Sequence, residues 1–138
     1  MWHLFREYAA RSGGQAIIYP WGNEEPNCDR LNFNECVYDT TPVCSYATGN
    51  TAQGLCDMAG NVFEWVEDDW HDTYEGAPND GSAWVDSDEF DNPRGSDRVG
   101  RGGSWFNVAV YVRAAYRGNV DPSFAGDRIG FRLARSAR

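Results

Sequence analysis

Four cysteines, Cys28, Cys36, Cys44 and Cys56, fall within one short stretch of this 138-residue chain. Around them, residues 21–56 are dense in Gly, Asn and Pro and show no helical or strand period. Such a stretch must be ordered by cross-links and local hydrogen bonds rather than by long backbone ladders. An even count in a loop-rich region predicts two disulfides, and with them an oxidising compartment. Three pairings are open. Cys28–Cys36 and Cys44–Cys56 are favoured, because short closures need the least rearrangement. A zinc site is the rival, but no pair has the close spacing of a zinc knuckle. A cysteine nucleophile is disfavoured too. His3 and His71 are the only histidines, and neither sits in a recognisable Cys–His context.

The length suits one domain, residues 1–138, with a single core. Six Trp, seven Tyr and seven Phe exclude a disordered chain. The net charge of −9 has the wrong sign for a nucleic-acid or anionic-membrane binder. No apolar stretch approaches the roughly 20 residues of a membrane span, so no membrane insertion is expected. Met1 is followed at once by Trp2, His3 and Leu4, so no signal peptide is expected in this chain. The cysteines point instead to an extracellular, cell-surface or virion-associated setting.

Residues 2–11 predict a helix, with Trp2, Leu4, Phe5, Tyr8 and Ala9 on one side and Ser12-Gly13-Gly14 as its stop. Strands are expected over 16–19, 62–66, 99–105, 110–116 and 129–134. Residues 67–97 are acidic and rich in Asp, Gly, Ser and Pro, which predicts a long surface loop. Trp65, Trp105 and Phe131 are expected in the core. The class is α+β, loop-rich, with little regular structure.

Four strings stand in order along the chain. They are Tyr19-Pro20-Trp21-Gly22, the run Asn50–Val66 (NTAQGLCDMAGNVFEWV), Arg101-Gly102-Gly103-Ser104-Trp105, and Ile129-Gly130-Phe131-Arg132-Leu133-Ala134. Together they resemble the formylglycine-generating (sulfatase-modifying) enzyme family, over nearly the whole chain from Glu7 onwards. The resemblance implies a C-type-lectin-like fold. It also implies enzymes that oxidise a client cysteine with copper, oxygen and a C-terminal cysteine pair. Residues 104–138 contain no cysteine, so that thiol chemistry is not expected, and neither is copper. The resemblance further implies a structural calcium, held by the Asp57 and Glu64 side chains and the carbonyls of Gly60 and Val62. Hard oxygen ligands in a tight loop suit that ion. The alternative is that Asn61 and Glu64 simply bond to backbone in a turn.

Between the last two strings lies the window 106–128, FNVAVYVRAAYRGNVDPSFAGDR. It contains no Met, Trp, Gln, Glu or Lys. The first four types number 18 among the other 115 residues, so three or four would be expected here. Relatives with this fold occur as the variable proteins of diversity-generating retroelements. These randomise adenines, and Asn codons so altered can never encode those five residues. Phe106, Asn107, Val108, Val110, Tyr111, Tyr116, Gly118, Asn119, Val120, Asp121, Ser123, Phe124, Gly126 and Asp127 all fit an Asn-coded template. Ala109, Val112, Arg113, Ala114, Ala115, Arg117 and Pro122 would be fixed scaffold; Ala125 and Arg128 suit either group. Exposed Tyr and Phe with small polar spacers make an adaptable recognition surface. The expected function is therefore binding of a protein or cell-surface ligand, without catalysis. The alternatives are a catalytically altered relative of the sulfatase-modifying enzymes and a purely structural surface domain.

Overall fold

A computed structural model describes residues 2–80, 82–86 and 97–133. Among these residues one helix, α1, spans Trp2–Ala10, close to the expected bounds. The expected apolar side is not the buried one: Phe5 and Tyr8 are exposed, while Arg6, paired with Glu64, and Ala10 face the core. Ser12, Gly13 and Gly14 follow in the left-handed region and end it. Among the described residues four short strands make one sheet: β1 (Phe63–Asp69), β2 (Arg98–Arg101), β3 (Arg117–Val120) and β4 (Ile129–Gly130). Their spatial order is β3-β2-β1-β4. The β1–β2 and β2–β3 pairs are antiparallel, and β4 runs parallel to β1.

Most of the chain is ordered loop, and the two disulfides are Cys28–Cys36 and Cys44–Cys56. No free cysteine is present. Asn61 is the hub that binds these loops to the sheet. It sits at φ 63° and donates its backbone N–H to the Asn32 carbonyl at 2.8 Å. Its side chain bonds both the N–H and the carbonyl of Thr41. Its own carbonyl accepts from Trp105 N–H at 2.8 Å. Asparagine is among the few residues that tolerate this backbone region while offering both a donor and an acceptor.

Several expected elements differ. Residues 16–19 make no strand, only a bridge between Tyr19 and Gly22. The Ile18 carbonyl is spent on the Ala114 N–H instead. Residues 110–116 are also not extended: a 3-10 turn occupies Ala109–Val112, and β3 begins only at Arg117. β2 stops at Arg101 because Gly102 and Gly103 turn the chain at φ 90° and 70°. The acidic stretch 67–97 is not all surface. Asp68 and Asp69 extend β1 and are buried. Asp69 ion-pairs with Arg98 and also accepts from the Asp86 N–H. Asp68 accepts from the Trp84 N–H at 3.0 Å. Residues 81 and 87–96 of that stretch, and Ala134 of the expected last strand, lie outside the described residues.

Of the three expected core aromatics, Trp105 is buried and Trp65 is half-buried. Phe131 is 72% exposed, contrary to expectation. It follows β4, a two-residue strand at the edge of the sheet formed by the described residues. The core instead gathers Tyr19, Leu31, Phe33, Ala59 and Val112, with Ala10, Met58 and Ala114 as a second cluster.

Candidate ligand-recognition surface

The window 106–128 leaves the core at Trp105 and returns to the sheet at Ile129. Its anchors are Ala109, Val112 and Ala114, three of the residues assigned to the scaffold. Val112 is 0% exposed and plugs the core beneath the Cys28–Cys36 loop, with Ala109 packed against the same cluster. Ala114 is 2% exposed, against Ala10 and Met58. The backbone is tied to that loop as well, through Asn34 N–H to the Asn107 carbonyl and Glu35 N–H to the Trp105 carbonyl.

Between these anchors, large apolar side chains face solvent. Phe106 is 45%, Val108 48%, Val110 45%, Tyr111 37% and Phe124 50% exposed. Single exposed apolar side chains are ordinary, as at Tyr38 and Val43 elsewhere in the chain, but a contiguous patch of them marks an interaction surface. Asn119, Asp121, Ser123, Gly126 and Asp127 are exposed too. Two ring groups form. Phe106 meets Trp105 edge-on at 5.9 Å, and the Arg128 guanidinium lies 4.0 Å above the Phe106 ring. Tyr111 meets Tyr116 edge-on at 5.0 Å. Burial pushes the Tyr116 hydroxyl pKa up, and neighbouring Tyr111 adds to that.

Not every candidate is displayed. Asn107 is half-buried, and its Oδ1 accepts from the Ser104 N–H and hydroxyl at 2.9 and 2.7 Å. It shapes the turn after Gly103. Gly118 is buried in β3, where an added Cβ would lie 3.0 Å from the Phe63 ring. Tyr116 and Val120 are half-buried, Val120 within β3. Conversely Arg113, Ala115 and Pro122, assigned to the scaffold, are exposed.

Phe124 is presented by a turn closed by Asp121. The Asp121 carboxylate accepts the Ser123 hydroxyl at 2.7 Å and the Ser123 N–H at 2.8 Å. Those two bonds hold its pKa below the ordinary 3.8. A depressed carboxylate contributes above its ordinary pKa and loses that contribution as pH falls through the lowered one. The Ser123 amide resonance should therefore stay constant through neutral pH and move in acid with a midpoint below 3.8.

The calcium set is not assembled for a metal. Glu64 is buried, with Oε2 2.7 Å from Arg6 and Oε1 2.7 Å from Arg132 Nε. A cation would have to displace two guanidinium groups. The Asp57 carboxylate accepts the Cys44 N–H at 2.6 Å, and the Asp57 carbonyl accepts from Arg132. Cys44, Cys56 and Asp57 do converge, but both sulfurs are committed to a disulfide. The residues present do not fit calcium. Glu64 is instead the buried counterion of two arginines, which spacing alone did not reveal. The clue available in the sequence was Arg132, the one charged residue in the last string.

A second feature escaped the sequence altogether. Arg11, Arg113 and Arg117 converge with Trp70, Tyr74 and Tyr116 on an open pocket of about 410 Å³. These residues come from three distant segments.

The sequence pattern of the "Sulfatase-modifying factor enzyme 1-like domain" matches residues 5–137. Serine/threonine-protein kinase Pkn1 of Chlamydia trachomatis is 37% identical over 134 residues, covering 96% of this chain and 20% of that protein. The inactive C-alpha-formylglycine-generating enzyme 2 of Mus musculus is 32% identical over 147 residues, covering 95% and 41%. Among solved structures, Treponema denticola variable protein 1 superposes with a TM-score of 0.75 at 28% identity, covering 94% and 44%. The chain thus spans less than half the length of each of these proteins.

Proposed function

This chain belongs to the sulfatase-modifying factor enzyme 1-like family, with its C-type-lectin-like α+β fold, and we propose that it serves as a ligand-binding module. The recognition surface is carried by the window 106–128, diversified by a retroelement. One observation carries this reading. The segment lacking Met, Trp, Gln, Glu and Lys is the segment that hangs exposed Phe106, Val108, Val110, Tyr111 and Phe124 on buried Val112 and Ala114. A surface that varies must not carry the core, and here large exposed and small buried residues alternate along one short stretch. The likeness to a protein named a variable protein supports it. The best-supported variable positions are the exposed ones; the packing of Asn107 and Gly118 argues for fixed roles. The partner is a protein or cell-surface ligand met outside the cell. The two disulfides suit that oxidising setting, and among the described residues no helix is long and apolar enough to cross a membrane.

Catalysis by thiol oxidation is excluded from this reading. All four cysteines are cross-linked, and none lies after Cys56. A cysteine-containing sulfatase peptide supplied with copper and oxygen should yield no formylglycine; turnover would favour the catalytic alternative. The decisive experiment is on the DNA. A nearby reverse-transcriptase gene should accompany a near-copy of the codons for 106–128 that differs only at adenines. A locus without such a copy would overturn diversification.

A further inference from the structure

The chain carries a net charge of −9, and all 12 of its cations are arginines. Three of these arginines meet at the pocket formed with Trp70, Tyr74 and Tyr116, and among the described residues no carboxylate lines it. The Arg117 guanidinium lies 4.3 Å from the Tyr74 ring centre and 4.8 Å from that of Trp70. Rings stacked on a guanidinium cover its faces and leave its N–H edge for an acceptor. Arg113 is exposed and uses Nε on the Val110 carbonyl at 3.0 Å, leaving its terminal N–H groups for other acceptors. Arg11 reaches Glu7 through Nη1 at 3.2 Å, while its buried Nε has no hydrogen-bond partner. Glu7 is also shared with the buried Arg101, again at 3.2 Å. Among the described residues, Glu7 is thus the one carboxylate paired with any of the three cations, and it serves a fourth as well.

We infer that this pocket binds an oxyanion, a carboxylate, sulfate or phosphate group carried by a partner molecule. Guanidinium forks match the planar or tetrahedral oxygens of such groups, and charge-assisted bonds of this kind are the strong ones. The Trp70 and Tyr74 rings give flat walls for whatever carries the anion. Five of the six residues named lie outside the candidate variable positions, so this pocket is distinct from the candidate diversified surface. Tyr116 belongs to both, and Tyr111 packs on it. A pocket whose three arginines are fixed then abuts a surface that changes, and those arginines supply the same anchor to every variant.

The test follows the arginine Nε–Hε resonances of the whole chain during separate titrations with sodium phosphate, sulfate and acetate. Ionic strength is held constant with sodium chloride. At least one anion should shift Arg113 and Arg117 together, saturably and with one affinity. Arg113→Gln and Arg117→Gln should each weaken it about tenfold or more, the loss expected for one charge-assisted bond. Arg30→Gln removes a cation stacked on Trp21 elsewhere and should leave it unchanged. Arg113 is exposed, so its variant keeps the test decisive if Arg117→Gln fails to fold. Which anion saturates first identifies the class, acetate for a carboxylate and the others for a sulfated or phosphorylated group. Shifts that never saturate with any of the three, or that survive Arg113→Gln, would overturn the site. Absence of a template copy in the DNA would leave this result untouched.

Discussion

Replacing Glu64 by Gln should destabilise the protein by about 3–5 kcal/mol, the usual cost of leaving a buried charge without its partner. In a chain of this size that corresponds to roughly 10 °C or more in melting temperature. The reason lies in what the carboxylate joins. Glu64 stands in β1, Arg6 in α1, and Arg132 in the last string of the chain. Arg6 is 8% exposed, and burial lowers its guanidinium pKa while Glu64 opposes that shift. With Gln at 64 the desolvated guanidinium keeps one outside acceptor, the Met58 carbonyl at 3.1 Å. Arg132 is partly exposed and would fall back on the carbonyls of Cys56 and Asp57 and on water. The double variant Arg6→Met, Glu64→Leu should recover much of the loss, because a well-packed apolar pair removes the buried charge itself. If the double variant is as unstable as Glu64→Gln, packing and not charge holds this junction. Thermal and denaturant melts of the two proteins separate the outcomes.

Trp105→Ala should cost about 3–5 kcal/mol, while Phe124→Ala costs within about 0.5. The two side chains are both aromatic and only 19 positions apart, yet they do opposite work. Trp105 is 6% exposed, its backbone N–H is held by the Asn61 carbonyl, and its indole N–H reaches the Asp127 carbonyl at 3.3 Å. It closes the base of the window from both ends. Phe124 is 50% exposed at the tip of the Asp121 turn. Single alanine replacements of Phe106, Val110 and Tyr111 should behave like Phe124. They should leave the melting point nearly unchanged and weaken binding to a ligand recognised by this surface. Tyr116 is half-buried against Phe63 and Tyr111, so its replacement should fall between the two groups. If Phe106, Tyr111 and Phe124 melt like Trp105, they are core residues and the recognition surface is lost with them.

Which parts of the fold could be read in the sequence follows from how local their causes are. The extent of the helix over Trp2–Ala10 is set within a dozen residues by helical spacing and a glycine stop. The face it buries is not: Phe5 and Tyr8 are exposed, and distant Glu64 draws Arg6 inward. The two disulfides follow from loop closure, because their partners are close along the chain. The compositional silence of residues 106–128 is likewise a property of the string itself. Strand placement was less legible. Residues 16–19 and 110–116 have strand-like composition, but a strand needs a partner, and the backbone of Ile18 and Ala114 found each other in an isolated contact. β-propensity measures fit to neighbours more than an intrinsic backbone preference. The burial of Asp68 and Asp69 was hidden for the same reason: only the return of residues 84–86 and of Arg98 makes those positions dry and paired. Glu64 suggested a metal ligand when read beside Asp57 alone. Arg6 and Arg132, 58 and 68 positions away, decide its role, and nothing in local spacing reports them. The cationic pocket is the extreme case, since Arg11, Trp70 and Arg117 share no segment. The sequence by itself thus determined the family strings, the cross-links and the segment free of excluded residues. The tertiary structure alone decided which charges are buried and which arginines converge, because long-range electrostatics depends on distances that chain closure sets.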